Sequence, residues 1–229
     1  MDNHAIPDYA GRILQCRQDL AERGLLPYVI FSLTNIRYLT GFAGSNALLV
    51  IDAGPNEFIT DSRYEEYARD LVGGLAGFRV SAGGNTGALK EYIEERGLSR
   101  IFLEEHGLAW STYLQLQKLL PGVALEAGGD AVNLLRMVKQ QDELLLLRRA
   151  VALADDCFAC LAGYVRAGLT EWEVSVAIEN YYRTHGSSGT SFKSIVAAGA
   201  HASMPHYETA MDAVIRRGDV LLIDMGCTC

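Results

Sequence analysis

The sequence has no stretch approaching the roughly 20 consecutive apolar residues that span a bilayer. Its opening residues, MDNHAIPDYAGR, lack a basic flank leading into an apolar segment. Neither a membrane span nor a secretory leader is expected, and the protein reads as cytoplasmic. Basic residues are outnumbered, 20 Lys and Arg against 28 Asp and Glu, for a formal charge of -8. The closest thing to a basic patch is the pair Arg216-Arg217, too short to draw in a polyanion, so no nucleic-acid partner is expected. Cysteine is sparse and odd in number: Cys16, Cys157, Cys160, Cys227 and Cys229. Without a leader, that count argues against a disulfide framework and for reduced thiols. Internal repeats and low-complexity tracts are also missing.

What is present is an ordinary globular composition. Apolar residues make up 49% of the 229 and charged residues 21%, enough to bury a core in one large domain or two modest ones. Residues 8–24 carry Ile13, Leu14, Leu20 and Ala21 at helical spacing, with Gly24 as a stop. Strands follow at 28–32 and 47–52, with 57–61 as hairpin partner to the second. Helices and strands then alternate through SRYEEYARDLVGG, FRVSA, TGALKEYIEERG, RIFLEE, AWSTYLQLQKLLPG and VALEA. That alternation predicts an α/β layer with a mostly parallel sheet.

The composition changes near LEAGGDAVNLLRMVKQ, and a domain boundary is expected at about residue 133, giving domains 1–133 and 134–229. Residues 142–168 read as one long, largely buried helix closed by Gly168. Thr170 and Glu173 have capping-box spacing and open a further helix to about His185. A turn and strand in SSGTSFKSIVAAG and a strand in RRGDVLLIDMG complete the chain.

Few residues stand out as chemistry. Cys157 and Cys160 have C-x-x-C spacing but lie inside an apolar helical pattern, and no second Cys/His pair stands at zinc spacing, so core packing is expected. The glycines of GFAGS and GNTGALK match neither the Walker nor the dinucleotide fingerprint and read as turns. His4, His106 and His185 lack metal-spaced neighbours and read as solvated or singly hydrogen-bonded. His201 and His206 flank Met204-Pro205 between two apolar strands, where a rigid X-Pro turn can hold an imidazole in a cleft. Asp224 ends the apolar run Val220–Ile223, which draws its carboxylate towards a low-dielectric sheet interior where it needs a partner. The alternative is that Asp224 leaves the sheet and caps a turn at Met225-Gly226.

Several stretches together resemble the Xaa-Pro aminopeptidase and Xaa-Pro dipeptidase (prolidase) family of pita-bread metallopeptidases. NIRYLTGFAGSNALLVI and FITDSRYEEYA are similar to the non-catalytic N-terminal domain shared with creatinase. MVKQQDELLLLRRA resembles the entry to the catalytic domain, SFKSIVAAGAHASMPHY its histidine-bearing strand and loop, and RRGDVLLIDMGC the strand with the first metal ligand. The resemblance implies an α/β fold: a creatinase-like N-terminal α/β domain followed by the first half of a pita-bread (creatinase/aminopeptidase) domain. It makes Asp224 a metal ligand and His206 the catalytic histidine beside the scissile carbonyl. Phe192 and the Ile195–Gly199 run would line the substrate pocket. Two divalent metal ions are implied, manganese first with cobalt or zinc as alternatives, along with a substrate peptide carrying proline second and a homodimeric assembly.

Carboxylate-rich sites suit such hard cations, which activate a hydroxide and polarise a carbonyl. The family's later ligands, a second aspartate, a histidine and two glutamates, have no counterpart before Cys229. The 229 residues are therefore expected to be a truncated form that does not hold metal stably and is inactive. Alternatives are a non-catalytic dimerisation or binding module, and a metal-free creatinase-like amidinohydrolase.

Overall fold

The computed structural model describes residues 7–229, so His4 lies outside the described residues. The chain divides into two compact units with the break between Val138 and Lys139, where sequence alone places it at about residue 133. The helix at Ala131–Met137 stays with the first unit, because Ala131 and Val132 are buried in its core.

The first unit is a six-stranded sheet covered on both faces. Its strands are β1 (Tyr28–Ile30), β2 (Ala47–Ile51), β3 (Glu57–Asp61), β4 (Gly77–Ser81), β5 (Arg100–Leu103) and β6 (Ala124–Ala127), in the order β4-β3-β2-β1-β5-β6. Only β2 runs against its neighbours, pairing antiparallel with β1 and with β3, as the hairpin reading predicts. The remaining pairs are parallel.

Side chains alternate strictly between the faces, since successive residues of a strand point to opposite sides. Tyr28, Ile30, Leu49, Ile51, Phe58 and Phe102 enter one core. Val29, Leu48, Val50, Ile59, Ile101 and Leu103 enter the other. The first face is covered by α1 (Tyr9–Glu22), α2 (Leu33–Thr40), α3 (Glu65–Val72) and α6 (Ala131–Met137). The second is covered by α4 (Asn85–Glu95) and α5 (Trp110–Leu119). Two-sided burial explains why ALLVI reads as an unbroken apolar run.

Helix α2 has no counterpart in the sequence reading, and its ends show why. Ser32 caps its start locally, but the buried Glu104 of the loop after β5 also accepts from the backbone N–H groups of Phe31 and Ser32, at 2.8 and 2.7 Å. Its stop is Gly41 at φ 78°, where a Cβ would lie 2.8 Å from the Tyr9 ring.

The second unit, described from Lys139, is built on α7 (Gln141–Tyr164) and α8 (Glu171–Thr184). Leu153, Cys157 and Leu161 recur every four residues on α7, and Val174, Ile178 and Tyr182 do so on α8. These stripes pack together with Val196, Ala198 and Ile215. Two expectations for α7 are corrected. It ends at Tyr164, not at Gly168, because Val165 turns extended at ψ 129°. It is also far from largely buried: Leu145, Leu146, Leu147, Val151 and Phe158 are exposed, since only one stripe of the helix meets α8 and the strands. Cys157 is in the core as expected, whereas Cys160 faces solvent; all five cysteines are free.

Two small strand pairs complete the unit. Strands β8 (Ile195–Ala198) and β9 (Leu221–Asp224) are antiparallel, as are β7 (Gly189–Thr190) and β10 (Cys227–Thr228). No helix among the described residues is long and apolar enough to cross a membrane.

Candidate active site

Asp224 is the last residue of β9, and in the β8–β9 register it stands directly opposite Ile195. Directly opposed residues of an antiparallel pair share a face, with Cβ atoms about 4.5–5.5 Å apart. Phe192 joins them through the backbone: the Ser191 N–H donates to the Gly226 carbonyl at 3.0 Å, and the Phe192 ring lies against Gly226. A Cβ on Gly226 would lie 2.6 Å from Ser191 Oγ and 3.1 Å from Phe192 Cε1, so glycine is required here for space. The strand pair thus brings Phe192, Ile195 and Asp224 to one edge.

Two sequence expectations for Asp224 change. It is exposed and not drawn into the sheet interior, because β9 is the outer strand of a two-stranded pair. Nor does it cap a turn at Met225-Gly226. The chain continues into β10, and among the described residues the Asp224 carboxylate accepts no hydrogen bond.

His206 is exposed on the long connection between β8 and β9. The first part of this connection, residues 199–210, is stitched back to the unit at several points. Thr209 Oγ1 accepts from Val196 N–H at 2.8 Å and donates to the Ser194 carbonyl at 3.3 Å. Lys193 pairs with Glu208 at 2.6 Å, an exposed ion pair that adds little.

The main anchor is Glu171, the first residue of α8 and fully buried. One carboxylate oxygen accepts from Ala198 N–H and His201 Nδ1, each at 2.8 Å. The other accepts from Tyr207 Oη at 2.9 Å and Ala210 N–H at 3.2 Å. The His201 ring stacks on Tyr207 with centroids 4.5 Å apart. His201 is therefore committed to the anchor, while His206 makes no hydrogen bond or ion pair among the described residues. The other flagged histidines are held locally: His106 pairs with Asp130, and His185 Nδ1 approaches the Tyr181 carbonyl at 2.8 Å.

Glu171 escaped the sequence reading. It sits inside the Thr170–Glu173 capping box, which is present, but its partners lie 27 to 39 residues away and leave no local signal. Burial raises its pKa, but hydrogen bonds from His201, Ala198, Tyr207 and Ala210 outweigh that and hold the carboxyl below the ordinary 4.5. A lowered folded-state pKa contributes stability that is complete above about 4.5 and lost as pH falls through the folded value. Acid unfolding of the second unit should therefore contain a component that Glu171→Gln lacks. Trp172 fluorescence in a Trp110→Phe background reads it, and coincident acid limbs for the two forms would contradict it.

Residues 12–138 match the Creatinase/Prolidase N-terminal domain family. The chain belongs to the creatinase/prolidase family. Residues 146–229 of this creatinase/prolidase-family chain match Metallopeptidase family M24, so the second unit is part of an M24 domain. The chain is 32% identical over 217 residues to the Uncharacterized peptidase YqhT of Bacillus subtilis (strain 168), covering 94% of this chain and 60% of that one. Among solved structures, it resembles an Xaa-Pro dipeptidase from Bacillus anthracis at TM-score 0.86 and 27% identity, over 96% of this chain and 61% of that one. An X-Pro aminopeptidase from Thermotoga maritima MSB8 matches at TM-score 0.79 and 29% identity, over 91% and 60%. The chain thus spans about 60% of the length of these relatives.

Membership of a metallopeptidase family implies divalent metal ions. An exposed carboxylate suits a hard cation. However, the described residues contain no group of three or more His, Cys, Asp and Glu able to hold one.

Proposed function

We propose that this chain is part of a metal-dependent peptidase of the Xaa-Pro dipeptidase or aminopeptidase type, cleaving the bond before proline. The observation that carries the reading is the edge formed by Phe192, Ile195 and Asp224. There a carboxylate left free of protein donors stands beside apolar side chains of a size to receive a prolyl ring. Asp224 would hold metal together with ligands outside these residues, manganese first. When bound, the metal pair supplies an activated hydroxide and polarises the scissile carbonyl.

The remaining roles fall to the chain's own side chains. Phe192 and the Ile195–Gly199 run exclude water around the substrate. His206 donates a hydrogen bond to the oxygen of the tetrahedral intermediate. A prolyl peptide bond has no N–H, so its recognition rests on ring packing and carbonyl contacts. The working form is a cytoplasmic homodimer acting on peptides with proline second. The exposed apolar side chains of α7 favour a second reading, a self-associating module without hydrolysis.

Hydrolysis of an Xaa-Pro dipeptide with added manganese separates the two. The 229 residues alone should give no turnover, and a form extended through the family's remaining ligands should give turnover. Hydrolysis by the 229 residues would remove the need for further ligands. An inert extended form would remove the peptidase reading.

A further inference from the structure

The connection carrying His206 contains little secondary structure beyond a single 3-10 turn at Gly199–Ser203, so something else must fix it. The four donors to Glu171 are spaced along it. Ala198 immediately precedes the connection, His201 is in its turn, Tyr207 follows His206 directly, and Ala210 closes the segment. Glu171 is itself fixed from behind. Its own N–H donates to the Ala213 carbonyl at 2.9 Å, while Gly168 N–H donates to the Ile215 carbonyl and Ile215 N–H to the Leu169 carbonyl, at 2.9 and 2.8 Å. The carboxylate is therefore a rigid post between the start of α8 and both ends of the 199–210 segment. Each of its two oxygens accepts two hydrogen bonds, which fills its capacity in this buried place.

We propose that Glu171 is a positioning residue for His206: by tying Ala198, His201, Tyr207 and Ala210 to one point, it sets where the His206 imidazole stands. This rests on the reading that His206 meets the substrate, although the placement itself does not depend on any reaction. A glutamine at 171 keeps the volume but turns one acceptor atom into a donor, so two of the four bonds cannot form as they stand.

NMR of isotope-labelled histidine rings and backbone amides in the 229-residue chain tests this. In Glu171→Gln the His206 ring resonances should move. The Ala198 or Ala210 amide should exchange about tenfold faster or more, while Leu222 and Ile223 on β9 keep their protection. Unmoved His206 resonances, with or without faster amide exchange, would overturn the proposal. Should Glu171→Gln unfold the unit, Tyr207→Phe decides. It retains the ring and its stacking on His201 but removes one donor, so a shifted His206 supports the proposal and an unshifted one overturns it.

Neither readout involves hydrolysis, so failure of the peptidase reading leaves this result interpretable. In an extended form that does hydrolyse Xaa-Pro peptides, Glu171→Gln should lower kcat per folded molecule and leave KM little changed, with the folded fraction measured by circular dichroism on the same sample, since loss of folded protein alone also lowers apparent kcat at constant KM.

Discussion

Replacing Glu104 by alanine is expected to cost the first unit about 3–5 kcal/mol, because it leaves one buried and two half-buried donors without their acceptor, at roughly 1–3 kcal/mol for the buried one and less for each of the others. The side chain is 1% exposed and accepts from Phe31 N–H, Ser32 N–H and Asn35 Nδ2, the last at 2.5 Å. Those donors all belong to the entry of α2, so the loss should loosen the helix as well as the sheet. Native-state exchange of the Val29 and Leu103 amides measures the cost, and protection within about 1 kcal/mol of wild type would refute it.

The pH dependence runs opposite to that of Glu171. Burial, the largest influence, raises the Glu104 pKa above 4.5 despite its three donors. A raised folded-state pKa contributes stability that is full below about 4.5 and declines as pH rises through the folded value. One chain thus carries two buried glutamates whose linkages have opposite sign, one in each unit.

Replacing His206 by alanine in an extended, active form is expected to lower kcat by about 10²–10³-fold with KM little changed, the usual consequence of losing one hydrogen-bond donor to a developing oxyanion. Metal content should be unchanged, because the role proposed for His206 is at the substrate oxygen and that proposed for Asp224 is at the metal. Asp224→Asn should behave differently, lowering metal content and turnover together, since a neutral amide is a poor ligand for a hard cation. Metal analysis alongside steady-state kinetics separates the roles. A His206→Ala form within about threefold of wild type in kcat would remove that histidine from the chemistry.

Most of the first unit was legible in the sequence because its strands are buried on both faces and its helices amphipathic, so apolar runs and helical periods mark them directly. Helix α2 was not, since Glu104 at its entry arrives from a different part of the chain. Helix α7 shows the reverse failure. Its apolar density suggested burial, but density along a sequence does not say which side a neighbour covers, and only the Leu153, Cys157 and Leu161 stripe is covered.

At the candidate site, Phe192, Ile195 and Asp224 could be picked out by resemblance, and the β8–β9 register puts Ile195 opposite Asp224. The carboxylate's environment could not be inferred. An apolar run ending in aspartate suggests a buried charge, whereas a two-stranded pair leaves it in solvent. Glu171 was invisible for the reason that makes it effective: each of its loop contacts spans a long sequence separation.

The glycine two residues beyond Asp224 has a consequence for redesign. Its φ is not positive, so no backbone conformation demands glycine there. Only the nearness of Ser191 and Phe192 does. Position 226 and the side chains at 191 and 192 are therefore one steric unit. Changing the side chain at position 192 also alters what position 226 can tolerate, and a small residue at 192 together with a smaller contact at 191 would release 226 from being glycine. Changes at these positions should be made as a set, since their effects will not add.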